Sequence, residues 1–178
     1  IGVVFFVSRG EMQPLFKKME EFMEISYRKM TLSDIGQAVE IINRHANEGL
    51  MLEKTHVNLL VCLPNFFVAV TNNGVVGVCG LKIWPTGDAE IISSCVIEDY
   101  HGQGVGKHLN NLTLAFAKEL GLSRVFLLTT QVDFYKKIGF VVVSKQALAF
   151  KVYSDCLHCR RNKKGDPEFA FTRDCPDT

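Results

Sequence analysis

The sequence lacks any surplus of charge: 20 Lys and Arg stand against 19 Asp and Glu, a net charge of +1. With no basic stripe and no interleaving of aromatics with Arg or Lys, that balance excludes nucleic acid and anionic membrane as the partners its surface is built for. Long apolar runs are also missing. Ile1 to Val7 reads Ile-Gly-Val-Val-Phe-Phe-Val, far short of the ~18 apolar residues of a membrane span. No basic residue precedes that run and the chain begins without Met, so it does not read as a signal peptide and is expected to start partway into its reading frame. Internal repeats and low-complexity tracts are absent. A disulfide framework is not indicated either, although there are 6 cysteines. Cys62, Cys79 and Cys95 fall in apolar segments that read as buried helix or strand, which predicts free thiols in a reducing, cytoplasmic setting.

What is present is ordinary globular material: 178 residues, 47% apolar and 22% charged, the size of one domain with a full core. Residues 1–23 read as an N-terminal extension, a strand and then a short helix around Phe16 to Phe22, and residues 24–178 as a single domain. The apolar run Ile1 to Val7 is a candidate interface strand for a homodimer.

Ile25 to Lys29 predicts a first strand. Thr31 with Asp34 three residues on predicts a capped helix whose buried stripe is Leu32, Ile35, Val39 and Ile42. A shorter helix is expected over Leu52 to Leu63, stopped by Pro64. Phe66 to Thr71 and Val75 to Trp84 are β-rich runs joined by Asn72-Asn73-Gly74, a hairpin signal because Asn-Gly tolerates positive φ. Pro85-Thr86-Gly87 turns the chain into the next strand. Arg124 to Thr129 predicts another strand, Val132 to Ile138 a short helix closed by Gly139, and Phe140 to Ser144 a last strand.

Everything else is arranged around Asp88 to Leu120. Alternation places Glu90, Ile92, Ser94 and Val96 on one face of a central strand and Ala89, Ile91, Ser93, Cys95 and Ile97 on the other. Val105, Leu109, Leu112, Phe116 and Leu120 then recur at helical spacing, so the helix begins at Gly102, Gly104 and Gly106. Glycines at a helix start let free backbone N–H groups approach a phosphate at the positive end of the dipole. A P-loop would need glycine where His101 stands and Ser or Thr where His108 stands. A dinucleotide fingerprint would need its third glycine at Lys107. Both are excluded.

The stretch Cys95-Val96-Ile97 followed by His101-Gly102-Gln103-Gly104-Val105-Gly106 resembles the signature of the GNAT superfamily of acetyl-CoA-dependent N-acetyltransferases, departing from it only where His101 replaces Arg or Gln. Phe134-Tyr135-Lys136-Lys137-Ile138-Gly139-Phe140 resembles the superfamily's late aromatic segment. The likeness covers about Ile25 to Phe171. It implies the GNAT fold, α/β (α+β), with a mixed, mostly antiparallel central sheet flanked by helices, and acetyl-CoA as co-substrate. By the same resemblance Cys95, Val96 and Ile97 pair with pantetheine, and Gln103, Gly104, Val105, Gly106 and Lys107 cradle the pyrophosphate. Further stretches resemble the acetyltransferase domain of N-acetylglutamate synthases, enzymes of arginine biosynthesis: Asn47 to Leu52, Phe66 to Ala69, Ala89-Glu90-Ile91 and Leu127 to Thr130. Asn47 and Ile92 stand where those proteins often carry Arg. Without an amino-acid kinase domain, the resemblance is to the short, stand-alone type.

Acetyl transfer to an amine needs a neutral amine, donors for the oxyanion of the tetrahedral intermediate, and a proton for the departing thiolate. Glu90 is the candidate general base. Tyr135 resembles the tyrosine acid of many GNAT enzymes, a phenol that stays protonated at neutral pH. A backbone N–H near Val96 would serve the oxyanion. For a dicarboxylate acceptor, with the α-amine of glutamate leading, Lys54 and Lys82 are the cations best placed by the same resemblance, with Arg28 behind them. Other amines remain open: another amino acid, a polyamine, which would favour an acidic cleft, or a protein N-terminus. So does a non-catalytic CoA-binding sensor. The tail carries Cys156-Leu157-His158-Cys159 and Cys175; these are weak candidates for a zinc site or a disulfide, and the segment from Lys151 reads first as a loop before a strand at Glu168 to Thr172.

Overall fold

In the computed structural model, residues 3–6 and 25–156 are described. Strand β1 is Val3–Phe6, β2 Ser26–Lys29, helix α1 Ile35–Asn47, α2 His56–Val61, β3 Phe66–Thr71, β4 Gly74–Ile83, β5 Asp88–Val96, α3 Val105–Glu119, β6 Arg124–Phe126, β7 Leu128–Thr129, α4 Val132–Lys137 and β8 Val141–Val143. The described residues divide between two compact units, one drawn from residues 8–126 and the other from residues 1–7 and 127–178. No helix is long and apolar enough to cross a membrane among the described residues.

The larger unit holds a five-stranded sheet in the order β2-β3-β4-β5-β6. Its first four strands pair antiparallel and β6 joins β5 in parallel. The hairpin between β3 and β4 turns at Asn72-Asn73 and Gly74 takes φ 116°, the conformation its lack of Cβ permits. Two helices cover the sheet. From α1, Ile35, Ala38, Val39, Ile41 and Ile42 are buried together with Phe66, Val68, Val75, Val78 and Cys95 of the strands. From α3, Val105, Leu109, Leu114 and Ala117 are buried. Gly80 is where the sheet must be thin: a Cβ there would lie 2.5 Å from the Phe66 ring.

Several expectations shift. The helix after Thr31 starts with a 3-10 turn, Leu32–Asp34, so Leu32 falls outside the α phase and is 67% exposed rather than buried. The second helix begins late because Thr55 caps it, its Oγ1 accepting from Asn58 N at 3.2 Å. On α3 the buried row is Val105, Leu109, Thr113 and Ala117 flanked by Asn110 and Leu114, whereas Leu120 is 45% exposed. Polar Asn110 and Thr113 are tolerated there because both are hydrogen-bonded. The strand expected over Arg124 to Thr129 is two pieces with Leu127 between them, and the pieces belong to different sheets.

In the smaller unit β1 lies between β7 and β8, antiparallel to both. Both of its edges are occupied within the chain, so Val3–Phe6 is not a free interface strand. Lys145–Leu148, Ala149–Lys151 and Val152–Cys156 form successive short helical turns, where a loop was expected from Lys151. The helix around Phe16 to Phe22, the strand at Glu168 to Thr172 and the side chains of Cys159 and Cys175 lie outside the described residues.

Candidate active site

The departure from regular strand geometry that shapes the site is in β5. Gly77 pairs with Val96 and Val78 with Cys95, but Gly80 pairs with Ile92, so β5 carries one more residue than β4 across this span. Ser93 absorbs it at φ 51°, a β-bulge. Alternation is therefore broken, and Cys95 and Ile97 pack into the same core as Ile92, against the strict two-face expectation. Toward β6 the ladder runs only from Asp88↔Arg124 to Glu90↔Phe126. Beyond Glu90 that edge of β5 has no strand partner in its sheet among the described residues, as an extended ligand pairing with the strand would need.

The chain leaves β5 through the 3-10 turn Glu98–Tyr100 and enters the glycine loop. Gly102 and Gly104 take φ 73° and 82°, and a Cβ on either would meet nothing within 4 Å. Their lack of a side chain is thus required by the backbone rather than by crowding, and the space above the loop is open. The first backbone bond back along α3 runs from His108 N to Gly104 O at 3.0 Å, so the N–H groups of Val105, Gly106 and Lys107 have no helical acceptor. These are the features a pyrophosphate cradle requires. Gln103 folds its side chain onto the loop, donating to Asp99 O at 2.8 Å, which leaves its backbone as the part facing a ligand. His101, in place of Arg or Gln, has Nε2 2.7 Å from Val96 O and so fastens the loop to the end of the strand. Ile97 N donates to Val76 O at 2.9 Å; that donor is spent on β4.

Asn110 links loop and strand from below. Fully buried, it donates from Nδ2 to Ser94 Oγ at 2.9 Å and to Gly106 O at 2.8 Å. Cys79 Sγ lies 3.9 Å from its Oδ1. Burial pushes the Cys79 thiol up to about 11 and raises that of Cys95 as well, so both behave as small apolar groups. Cys62, Cys79 and Cys95 are free thiols, as expected.

Glu90 is buried, 5% exposed, and stands directly opposite Lys82 on β4. Its Oε2 accepts from Trp84 Nε1 at 3.3 Å, and Lys82 Nζ sits 3.9 Å from the centre of the Trp84 ring. Carboxylate, ammonium and indole thus form one cluster on one sheet face. Lys54 is half-buried, its backbone pinned on both sides by Asn43 at 2.8 and 2.9 Å. Arg28 is engaged elsewhere: its guanidinium holds Asp34 in a two-pronged pair, which argues against its assignment to the acceptor. Tyr135, in the smaller unit, is buried and packs edge-on against Phe134 and Phe140 at 4.9 and 5.5 Å. Among the described residues no group of three or more His, Cys, Asp or Glu is placed to hold a metal.

Trp84 and Asn110 are the residues that motif reading passes over. Asn110 had a signal, a polar residue one helical turn after Gly106 on the buried face. For Trp84 the only signal was its position at a strand end before a turn.

The acetyltransferase (GNAT) family model matches residues 40–140. An uncharacterized N-acetyltransferase of Chlorobaculum tepidum is 30% identical over 82% of this chain and 94% of its own. An amino-acid acetyltransferase of Mycobacterium tuberculosis is 28% identical over 80% of this chain and 82% of its own. Among solved structures, that of Rv2747 from Mycobacterium tuberculosis in complex with CoA and NLQ aligns with a TM-score of 0.63 and 28% identity, covering 67% of this chain and 73% of that one. Glycine loop, open strand edge and family match agree: the chain belongs to the GNAT acetyltransferase family, the acetyl-CoA-dependent N-acetyltransferases.

Proposed function

We propose that the chain transfers the acetyl group of acetyl-CoA to the α-amine of a small amino acid, glutamate first, which would give it a place in arginine biosynthesis. The observation that carries this reading is Glu90 facing Lys82 across β4 and β5. Side chains directly opposite in a ladder start about 5 Å apart at Cβ. A carboxylate and an ammonium so placed match the two charges of an amino-acid head group, Glu90 for the ammonium and Lys82 for the carboxylate. Lys54 is the remaining candidate for a second carboxylate. The amino-acid acetyltransferase relative at 28% identity supports the same substrate class, and free thiols at Cys62, Cys79 and Cys95 support a cytoplasmic setting.

In this reading Glu90 takes a proton from the bound ammonium, freeing the nitrogen lone pair to add to the acetyl carbonyl; the tetrahedral intermediate loses a second nitrogen proton to solvent and collapses with cleavage of the carbon–sulfur bond. Tyr135, assigned by motif and chemistry, gives its phenolic proton to the thiolate and recovers one through solvent. The glycine loop and the free N–H groups of α3 hold the diphosphate. The test is release of free thiol from acetyl-CoA with single amino acids, polyamines and short peptides offered in turn. Turnover led by glutamate is expected, with Lys54→Ala raising its KM more than that of neutral amino acids. A polyamine or peptide leading the panel, or no acceptor at all, would overturn the proposal.

A further inference from the structure

Trp84 is the chain's one tryptophan, and its placement is over-determined. Its backbone N donates to Asp88 O at 2.9 Å and its carbonyl accepts from Gly87 N at 3.0 Å, closing the β4–β5 turn around it. The side chain is 6% exposed and its ring lies 6.4 Å from that of Phe126. From this fixed seat the indole presents two different surfaces to two opposite charges. Its edge, through Nε1–H, meets Glu90 Oε2 at 3.3 Å. Its face meets Lys82 Nζ at 3.9 Å from the ring centre. A ring quadrupole favours this arrangement, with the anion at the positive edge and the cation over the negative face. An indole N–H is a donor only, and uncharged. It can orient a buried carboxylate without neutralising it, leaving the carboxylate able to receive a proton.

We propose that Trp84 is the positioning residue of the acceptor site: its edge aims the Glu90 carboxylate at the incoming ammonium while its face holds the Lys82 ammonium toward the acceptor's carboxylate. The proposal rests on Glu90 being the general base. Two substitutions separate the contacts. Trp84→Phe keeps an aromatic face for Lys82 and deletes the N–H, so kcat should fall about tenfold, the equivalent of one hydrogen bond, with the KM values for acetyl-CoA and acceptor little changed. Trp84→Leu deletes both contacts and should in addition raise the acceptor KM. Because Trp84 is the lone indole, the emission of the unmodified protein reports directly on this contact. It should shift when a saturating acceptor is added and should differ in Glu90→Gln.

A folded Trp84→Phe with unchanged kcat overturns the positioning role. Unchanged kcat in Glu90→Gln overturns the base assignment instead, whatever Trp84 does. Should Trp84→Phe not fold, emission decides: no response to acceptor and none to Glu90→Gln refutes the proposal.

Discussion

Arg28 grips Asp34 with both terminal nitrogens, Nη1 to Oδ2 at 2.6 Å and Nη2 to Oδ1 at 2.9 Å, joining the edge strand β2 to the start of α1. Together with the bonds from Thr31, the guanidinium lowers the Asp34 carboxyl from 3.8 to about 2. A carboxyl held below its ordinary value adds stability above that value, and the contribution is lost as pH falls through the folded one. Urea unfolding at a series of pH values should therefore show stability falling between about pH 4 and pH 2, and Asp34→Asn should flatten that limb. Because Arg28 is 41% exposed at its side chain, the neutral-pH loss in Asp34→Asn should be only about 1 kcal/mol.

Arg124 makes the corresponding clasp on β5, Nε and Nη2 reaching Asp88 at 2.6 and 2.8 Å. Asp88 is 1% exposed at its side chain while Arg124 is 50% exposed. Arg124→Ala leaves the buried Asp88 carboxylate without its cation, with Thr86 Oγ1 still donating to it at 2.9 Å, and should cost about 1–3 kcal/mol by denaturant melting. Asp88→Asn with Arg124→Ala together should cost less than the sum of the single changes.

Gly104 sits at φ 82° with room for a methyl group. Gly104→Ala meets no neighbour and is penalised by backbone strain alone, about 1–2 kcal/mol. If the strain is relieved by a change of loop conformation, CoA binding measured calorimetrically should weaken about tenfold. Gly104→Asn, which tolerates the left-handed region better, should lose less.

Asn110→Ala removes the donor shared by Ser94 Oγ and Gly106 O. Thermal stability should drop by about 1–3 kcal/mol, and CoA affinity should fall with it, since the loop loses its anchor to β5. A stability loss with unchanged CoA affinity would confine Asn110 to the core.

For Tyr135→Phe the expected result is a kcat lowered about 10²–10⁴-fold with CoA affinity kept. Its ring packs against Phe134 and Phe140, contacts that phenylalanine retains, so the fold should not confuse the measurement. Unchanged turnover removes it as the proton donor.

Element order, hairpin, glycine loop and the existence of the helices were legible in the sequence because each rests on local chemistry: Asn73-Gly74 at a turn, Thr31 at a helix start, glycines at positive φ; the cap at Thr55 was passed over, and with it the start of α2. What escaped depends on pairing between distant segments. Nothing near Ser93 announces that β5 holds an extra residue; that is decided against β4. Arg28 read as a possible ligand because its partner Asp34 lies six residues on, across a strand-to-helix corner. Leu127 reads like any strand residue, yet it is where β6 ends and a different sheet begins. Glu90 was singled out by its place on the central strand, and Lys82 and the glycine loop's role by family resemblance. Trp84 was not, because its contribution comes from a turn that brings an indole edge back over its neighbour's strand.

The bulge at Ser93 has a consequence for chain length. Glu90 and Ile92 before it and Cys95 and Ile97 after it share one side of the sheet only because β5 takes three steps from Ile92 to Cys95 where β4 takes two from Gly80 to Val78. Removing one residue there would swing everything downstream through a half-turn, carrying the hook of His101 on Val96 to the opposite surface. The spacing between proton acceptor and phosphate loop is thus a counted distance. Single-residue insertions and deletions at 93–94 should be far less tolerated than any substitution at the same positions.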